Sequence, residues 1–200
     1  MRNWLLVLLL GALSACSSKP ISLNYYLLHD PGQSLSQPSR DISAQPTVFL
    51  RTLTVPTYLK QRNLSLQLSA SQLHFAPDHL WAEPFDNDLT MAFGEALSLQ
   101  HSVRLRAQSQ WTNPAQTEYI LDIQIDDFIT TYLGDLVLKG TFRLQAPDSQ
   151  APQLIQFNYQ LPLESDGFAQ AVAQMRILVN QLAKDVVAKL EANSESTQPD

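Results

Sequence analysis

The sequence predicts an α+β fold, a single domain in which an antiparallel β-sheet carries two main α-helices on one face. Three observations carry this prediction. Residues 118–131 and 136–145 alternate apolar and polar side chains, with parity reversed around Tyr132-Leu133-Gly134-Asp135, the pattern of a hairpin with one buried face. Leu89, Phe93, Ala96, Leu97 and Gln100 follow Pro84 at spacings of three and four, and Phe168, Val172, Met175, Val179, Leu182 and Val186 repeat that spacing further on. Each set forms one apolar stripe along a helix. Between and before them lie short runs of β-formers bounded by Pro, Gly, Ser and Asn, the mark of further strands.

The chain opens on a different kind of segment. Arg2 precedes an apolar run over residues 4–13, and small Ser14 and Ala15 lead to Cys16, the one cysteine among 200 residues. A basic start, an apolar stretch and small residues at its end are the layout of an export signal. The run falls short of the roughly 20 apolar residues that a membrane span needs. Leu13-Ser14-Ala15-Cys16 is similar to a bacterial lipobox. That resemblance implies removal of a signal peptide, residues 1–15, and lipidation of Cys16, with a diacylglyceryl group on the thiol and a further acyl chain such as palmitate on the new amino terminus. At about 0.8 kcal/mol per buried methylene, two or more chains anchor stably where one is marginal. Ser17 rather than an aspartate follows the cysteine, so the sorting rule for such lipoproteins implies the outer membrane. Residues 16–20 are then the lipidated cysteine and a short tether, 21–191 the folded domain, and 192–200 a disordered tail.

Within the domain, residues 21–28 read as a strand, and 29–45, crowded with Pro, Ser, Gln and Gly, as a surface loop. Residues 46–55 alternate Val48, Leu50, Thr52 and Thr54 with Phe49, Arg51, Leu53 and Val55 up to Pro56, a second strand. Residues 63–68 and 73–76 suit a hairpin. A helix is expected over about 84–100, with Pro84 in a permitted first-turn position and Glu83, Asp86 and Asp88 near the positive end of its dipole. A short strand at 102–107 and a polar loop at 108–117 lead to the central hairpin. With Leu133 and Gly134 as a two-residue turn, facing residue numbers sum to 267, so odd meets even and both apolar sets share a face. Asp122 and Asp126 then lie near Lys139 and Arg143 on the wet face. Residues 153–161 add a strand, and Asp166-Gly167 lead into a helix at 168–190.

Composition excludes several functions. Without the leader the chain keeps 12 basic against 19 acidic residues, a formal charge of −7, which argues against nucleic-acid binding and against a polybasic grip on anionic lipid. With a single cysteine, no intramolecular disulfide forms. His29, His74, His79 and His101 are scattered, none at i, i+4 of another, so no metal site is expected and each reads as structural or solvated. Asp122, Asp126 and Asp127 could be read as a cation or acid-base cluster, but charge pairing with Lys139 and Arg143 on a wet sheet face is the better account. No nucleophile elbow, phosphate loop or dinucleotide glycine pattern is present, so no catalytic residue and no cofactor is expected, and the chain does not read as an enzyme. On the last helix Ala171, Leu178 and Val187 broaden the apolar stripe, which favours packing on the protein's own sheet over a coiled coil.

Four motifs stand apart from these elements: Asn24-Tyr25-Tyr26-Leu27, Val55-Pro56-Thr57-Tyr58-Leu59, Leu80-Trp81-Ala82-Glu83-Pro84 and Asp166-Gly167-Phe168. Their order and spacing after the cysteine resemble the PqiC (YmbA) family, the auxiliary lipoproteins of ABC-type and MCE-type transport systems, over nearly the whole chain. One departure is Gln61-Arg62-Asn63, where family members commonly carry a pair such as Asn-Gly. The resemblance implies a lipid-anchored periplasmic auxiliary subunit of an MCE-type intermembrane lipid-transport system. It would stand on the inner leaflet of the outer membrane, dock the tunnel of an MCE-domain protein and support envelope integrity. Its implied partners are that MCE-domain protein, the outer membrane through the anchor, and further copies of itself in a homo-oligomer.

Aromatics beside rigid prolines lose little entropy on docking. Tyr25, Tyr58 and Trp81 are therefore candidate partner-binding residues, with Glu83 as a polar partner. The alternative for each is structural, with Trp81 stapling the helix start and Tyr25 packed in the core. A second class of function is equally consistent with a curved sheet rich in aromatics: a periplasmic lipoprotein that binds or chaperones an apolar ligand.

Overall fold

The computed structural model describes residues 22–32, 45–108, 114–115, 118–147 and 151–195. The expected leader, Cys16, its tether, most of the loop after residue 32 and residues 196–200 lie outside the described residues. The described elements run β1 (Asn24–Tyr26), β2 (Thr47–Thr54), a 3₁₀ turn (Thr57–Lys60), β3 (Asn63–Ser69), β4 (Gln72–Trp81), α1 (Phe85–His101), β5 (Arg104–Ala107), β6 (Tyr119–Thr130), β7 (Asp135–Gln145), β8 (Gln153–Pro162) and α2 (Phe168–Glu195). The helices pack on each other and on the sheet, closing one hydrophobic core of an α+β domain. Among the described residues no helix is long and apolar enough to cross a membrane.

The sheet is mixed, which corrects the expectation of a purely antiparallel one. β6 is its spine. Along one edge β6 pairs antiparallel with β7, and β7 with β8. Along the other it pairs in parallel with β2 over its first half and touches β3 at Thr130. β2 carries β5 in parallel on its far side, and β3 carries β4 antiparallel and then β1 in parallel. Parallel neighbours need a crossover of a dozen or more residues, and the stretch containing α1 returns the chain beside β2 in this way. Alternation along a strand is blind to this choice, because both pairings share the period of two.

The central hairpin keeps its expected buried face in a different register. Leu121, Ile123 and Ile125 are buried with Leu136, Leu138, Phe142 and Leu144. Thr130 faces Leu136, however, while Ile125 faces Gly140, so facing numbers sum to 266 near the turn and 265 beyond, not 267. Two features account for this. The loop has three residues, with Gly134 at φ +86° and the Thr131 N–H donating to the Asp135 carbonyl at 2.7 Å, a common hairpin closure that ends on a left-handed residue. A bulge at Asp126 then adds one residue to β6, which turns Phe128 inward and restores the odd-to-even pairing.

Helix α1 begins one residue later than expected, with Pro84 at its cap position. Helix α2 continues through residue 195, so residues 192–195, expected in a disordered tail, form its last turn. Its inward face carries Val172, Met175, Leu178, Val179, Leu182 and Val186, as the stripe requires.

Beyond β1 the chain leaves the sheet, and its backbone needs other partners. The helices supply them. The Asp88 carboxylate, fully buried on α1, accepts the Leu28 N–H at 2.6 Å, the His29 N–H at 2.9 Å and the His29 Nδ1 at 2.5 Å. From α2 the Arg176 guanidinium donates to the carbonyls of Leu28, Leu27 and His29 at 2.8, 3.1 and 3.4 Å. Asp88 thus lies in the first turn of α1, as expected, and is also a buried clamp, while His29 is structural.

Candidate functional site

The four motifs, spread along the sequence, converge in space. β1 lies in parallel beside β4 with Tyr26 level with Trp81, and the Ala82 N–H donates to the Tyr26 carbonyl at 2.9 Å. The 3₁₀ turn carries Leu59 into the same region, and the loop before α2 brings Asp166, Gly167 and Phe168, with Gly167 at φ +115° where a side chain is disfavoured. Between the last three opens an apolar groove of about 180 Å³, lined by Leu59, Trp81, Gly167 and Phe168 but by no residue of the first motif. Trp81 and Phe128 form its floor, Leu64 and Leu66 one wall, Val172 and Met175 the other, and Asp166 and Phe168 its rim.

The rim is held by stacked rings. Phe168 lies on His79 at 4.1 Å between centroids, and the Tyr26 hydroxyl meets His79 Nδ1 at 2.7 Å. Burial, with Asp78 adding, raises the Tyr26 hydroxyl pKa. Below the groove Trp81 packs on Phe85 at 4.9 Å and Phe85 on Phe128 at 5.9 Å. Aromatic pairs of this geometry contribute beyond the area they bury, about 0.5–1.5 kcal/mol each.

The candidate partner residues separate. Trp81, only 3 % exposed, lines the groove from below as part of the core. Tyr58 is half-buried; it sits where β2 gives way to β3 beside β6, and its hydroxyl accepts the Phe128 N–H at 3.1 Å. It therefore fills the gap along that edge of β6 between the last β2 partner, Gln124, and Thr130, where β3 takes over. Burial pushes its pKa up to about 12, against the Phe128 hydrogen bond and with Asp127 adding. Tyr58→Phe keeps the ring but leaves the Phe128 N–H without this acceptor, and should cost about 1–3 kcal/mol, read by urea unfolding together with faster exchange of the Phe128 amide. Unchanged stability and exchange would refute that role.

Tyr25 points the other way from Tyr26, as adjacent strand residues must. It is 53 % exposed, and the Arg62 guanidinium lies over its ring at 5.5 Å, so the departing Gln61-Arg62-Asn63 segment supplies this contact. Glu83 is exposed in the turn between β4 and α1. The groove thus unites Trp81 with Leu59 and Phe168, whereas Tyr25 and Glu83 do not line it.

Sequence reasoning placed Phe168 on the helix stripe and His79 among the scattered histidines. Neither spacing nor composition indicated that the two stack. The acids on the wet face have separate partners. Asp122 accepts from Arg51 Nε at 2.9 Å and from Thr52, Asp127 pairs with Lys139 at 2.8 Å, and Asp126 accepts from the Gln124 amide at 2.9 Å. Burial pushes the Asp122 carboxyl pKa up, but the Arg51 and Thr52 hydrogen bonds and the neighbouring Arg51 and Arg143 charges outweigh it and leave it lowered. These are paired surface charges.

The fold and the groove define a small α+β domain with an apolar cleft and no assembled catalytic constellation among the described residues. The chain belongs to the family described as the ABC-type transport auxiliary lipoprotein component, which it matches over residues 26–187. It is 26 % identical over 193 residues, 96 % of this chain and 98 % of the relative, to the intermembrane transport lipoprotein PqiC of Escherichia coli, and likewise to PqiC of Shigella flexneri. Two crystal structures share the fold. One, of an uncharacterised protein, has a TM-score of 0.68 and 20 % identity, covering 84 % of this chain and 99 % of the other. Protein XCC0632 from Xanthomonas campestris has a TM-score of 0.61 and 13 % identity, covering 90 % and 100 %.

Proposed function

We propose that this chain is a lipid-anchored component of an intermembrane lipid-transport system. Held through Cys16 on the periplasmic side of the outer membrane, it docks an apolar segment of an MCE-type partner in the groove beneath Phe168. The observation that carries this reading is that three of the four distant motifs line one apolar groove, while the first touches its edge only through the Tyr26–His79 contact, in a family of transport auxiliary lipoproteins whose named relatives act in intermembrane transport. An apolar groove with a stacked aromatic rim suits an aliphatic or aromatic anchor, whose burial contributes most of the energy of such contacts. Anchoring fixes the height of the domain and so contributes to envelope integrity.

Pulldown of the lipidated protein with the MCE protein encoded beside it tests the reading. Leu66→Asp, at the groove wall, should abolish capture while circular dichroism stays unchanged, and Cys16→Ser should bind the partner yet fail in the cell. Equal capture by wild type and the groove variant would sink the docking site. A second reading, an acyl chain held by the protein itself, is favoured by the same apolar lining. Native mass spectrometry of the purified protein distinguishes the two, because co-purified lipid lost in Leu66→Asp belongs only to the second.

A further inference from the structure

Large apolar side chains scattered singly over a surface are ordinary, but an exposed group of them marks a contact. Among the described residues ten large apolar side chains are exposed, and six of them, Leu23, Leu68, Leu73, Phe75, Tyr132 and Leu133, gather at one end of the sheet. Two turns form that end. β3 turns into β4 at Ala70-Ser71. β3 also runs in parallel with β6, Leu66 facing Thr130, so the turn after β6, with Tyr132 and Leu133, comes level with Leu68.

The β3–β4 tip projects from the sheet. β3 meets β6 only at Leu66 and β4 meets β1 only from His79 onward, so beyond those points the two strands have only each other among the described residues. Residues 70–75 are all exposed, on both faces of the hairpin. Residues 63–77 contain no Asp, Glu, Lys or Arg. A projecting hairpin without charge, tipped by Leu68, Leu73 and Phe75, gains by leaving water for an apolar medium. Tyr132 beside it carries the amphipathic kind of ring that settles at a membrane–water boundary.

We propose that this end is a second membrane contact, in which the β3–β4 tip and the β6–β7 turn dip into the leaflet that holds the acyl chains of Cys16. The proposal rests on the anchor reading of Cys16, and the direction of β1 favours a bilayer as the occupant. β1 pairs in parallel with β4, Asn24 beside His79, so the chain enters β1 from the hairpin end, where Leu23 is exposed. Cys16 lies eight residues before Asn24, and Ser71 lies eight before His79. At the rise of a strand the tether is therefore long enough to reach the level of the tip, and anchor and tip meet one bilayer surface. Glu164 and Asp166 are exposed in the loop that the Leu163–Gly134 hydrogen bond ties to the β6–β7 turn, so the contact favours neutral over anionic lipid. Two contacts stop the domain swinging on its tether. The groove, whose lining includes Leu66, Thr130 and Asp166 of this end, is then held close to the lipid.

The experiment places the full, lipidated chain in neutral phosphatidylcholine vesicles, some with a nitroxide on the lipid acyl chain. An environment-sensitive fluorophore is attached at Leu73→Cys, at the tip, or at Glu191→Cys, near the far end of α2, where Asn193 bonds to the start of β8. An acylated Cys16 offers no thiol to the label. The Leu73→Cys label should shift to shorter wavelength and be quenched by the nitroxide, in high salt as in low, and the Glu191→Cys label should do neither. Phe75→Asp, at an exposed site, should remove most of the quenching at Leu73→Cys while circular dichroism stays unchanged. Equal quenching at both positions, or none at Leu73→Cys, would overturn the proposal. So would a Phe75→Asp variant that keeps the quenching but loses capture of the MCE-type partner, since the tip would then dock protein rather than lipid. The intact mass of the wild-type chain tests the anchor by itself, so an unacylated Cys16 and a missing hairpin contact are told apart.

Discussion

Gly140→Ala should destabilise the protein by about 3 kcal/mol or more, although it adds one methyl group. Gly140 faces Ile125 across the central hairpin beside the bulge at Asp126. A Cβ there would fall on the Gln124 carbonyl oxygen and within 3.0 Å of the Phe157 ring. The ring can turn aside, but the carbonyl belongs to the sheet backbone, so relief requires β6 and β7 to separate. Overpacking a core side chain typically costs about 1–3 kcal/mol, and a clash with backbone lies at or above the top of that range. Gly134→Ala is the control. Its Cβ meets open space, but its φ of +86° is costly for any side chain, so about 1–2 kcal/mol is expected from strain alone. Urea unfolding of both variants decides the matter: a Gly140→Ala loss no larger than that of Gly134→Ala, or rescue by Phe157→Leu, would show that the backbone contact is not limiting.

Asp88→Ala should cost about 3–5 kcal/mol. The carboxylate is fully buried and accepts from two backbone N–H groups and from the His29 ring. Truncation leaves these donors, including the His29 ring, buried without this acceptor, and losses of that kind carry the full desolvation penalty. Asp88→Asn should recover only part of the loss, since its amide offers one acceptor oxygen and presents donors to donors. Amide exchange at Leu28 and His29 locates the effect, because the segment after β1 should open before the sheet does. A loss under about 1 kcal/mol with unchanged protection at both amides would show the clamp to be dispensable.

The hairpin shows how far local pattern reaches. Alternation identified most of the buried residues of β6 and β7, but it missed Phe128, which the bulge turns inward, and misjudged the register by one and then two positions. The loop closes on left-handed Gly134 after three residues, and the bulge at Asp126 adds another. A bulge leaves no mark in alternation that a polar pair such as Asp126-Asp127 would not leave on its own. The helices were legible for the converse reason: a stripe at three and four is long, redundant and tolerant of one misplaced residue, as Val172 to Val186 illustrate. Of the candidate site, Trp81 and the motif holding Phe168 were found, whereas the pairing of Phe168 with His79 depends on strands that meet only after folding.

By itself the sequence determined the α+β class, the two helices with their buried stripes, most of the buried set of the central hairpin and the family resemblance of the four motifs. Each of these is written within a few consecutive turns or strand residues, where period and side-chain chemistry suffice. Only the tertiary structure decided that β6 has parallel neighbours, that Asp88 and Arg176 clamp residues 27–29, that three of the motifs line one apolar groove and that β8 is left as a long neutral edge. All four depend on contacts between residues far apart in the chain, where burial, backbone hydrogen-bond demand and the geometry of crossovers choose among arrangements that local pattern leaves equivalent.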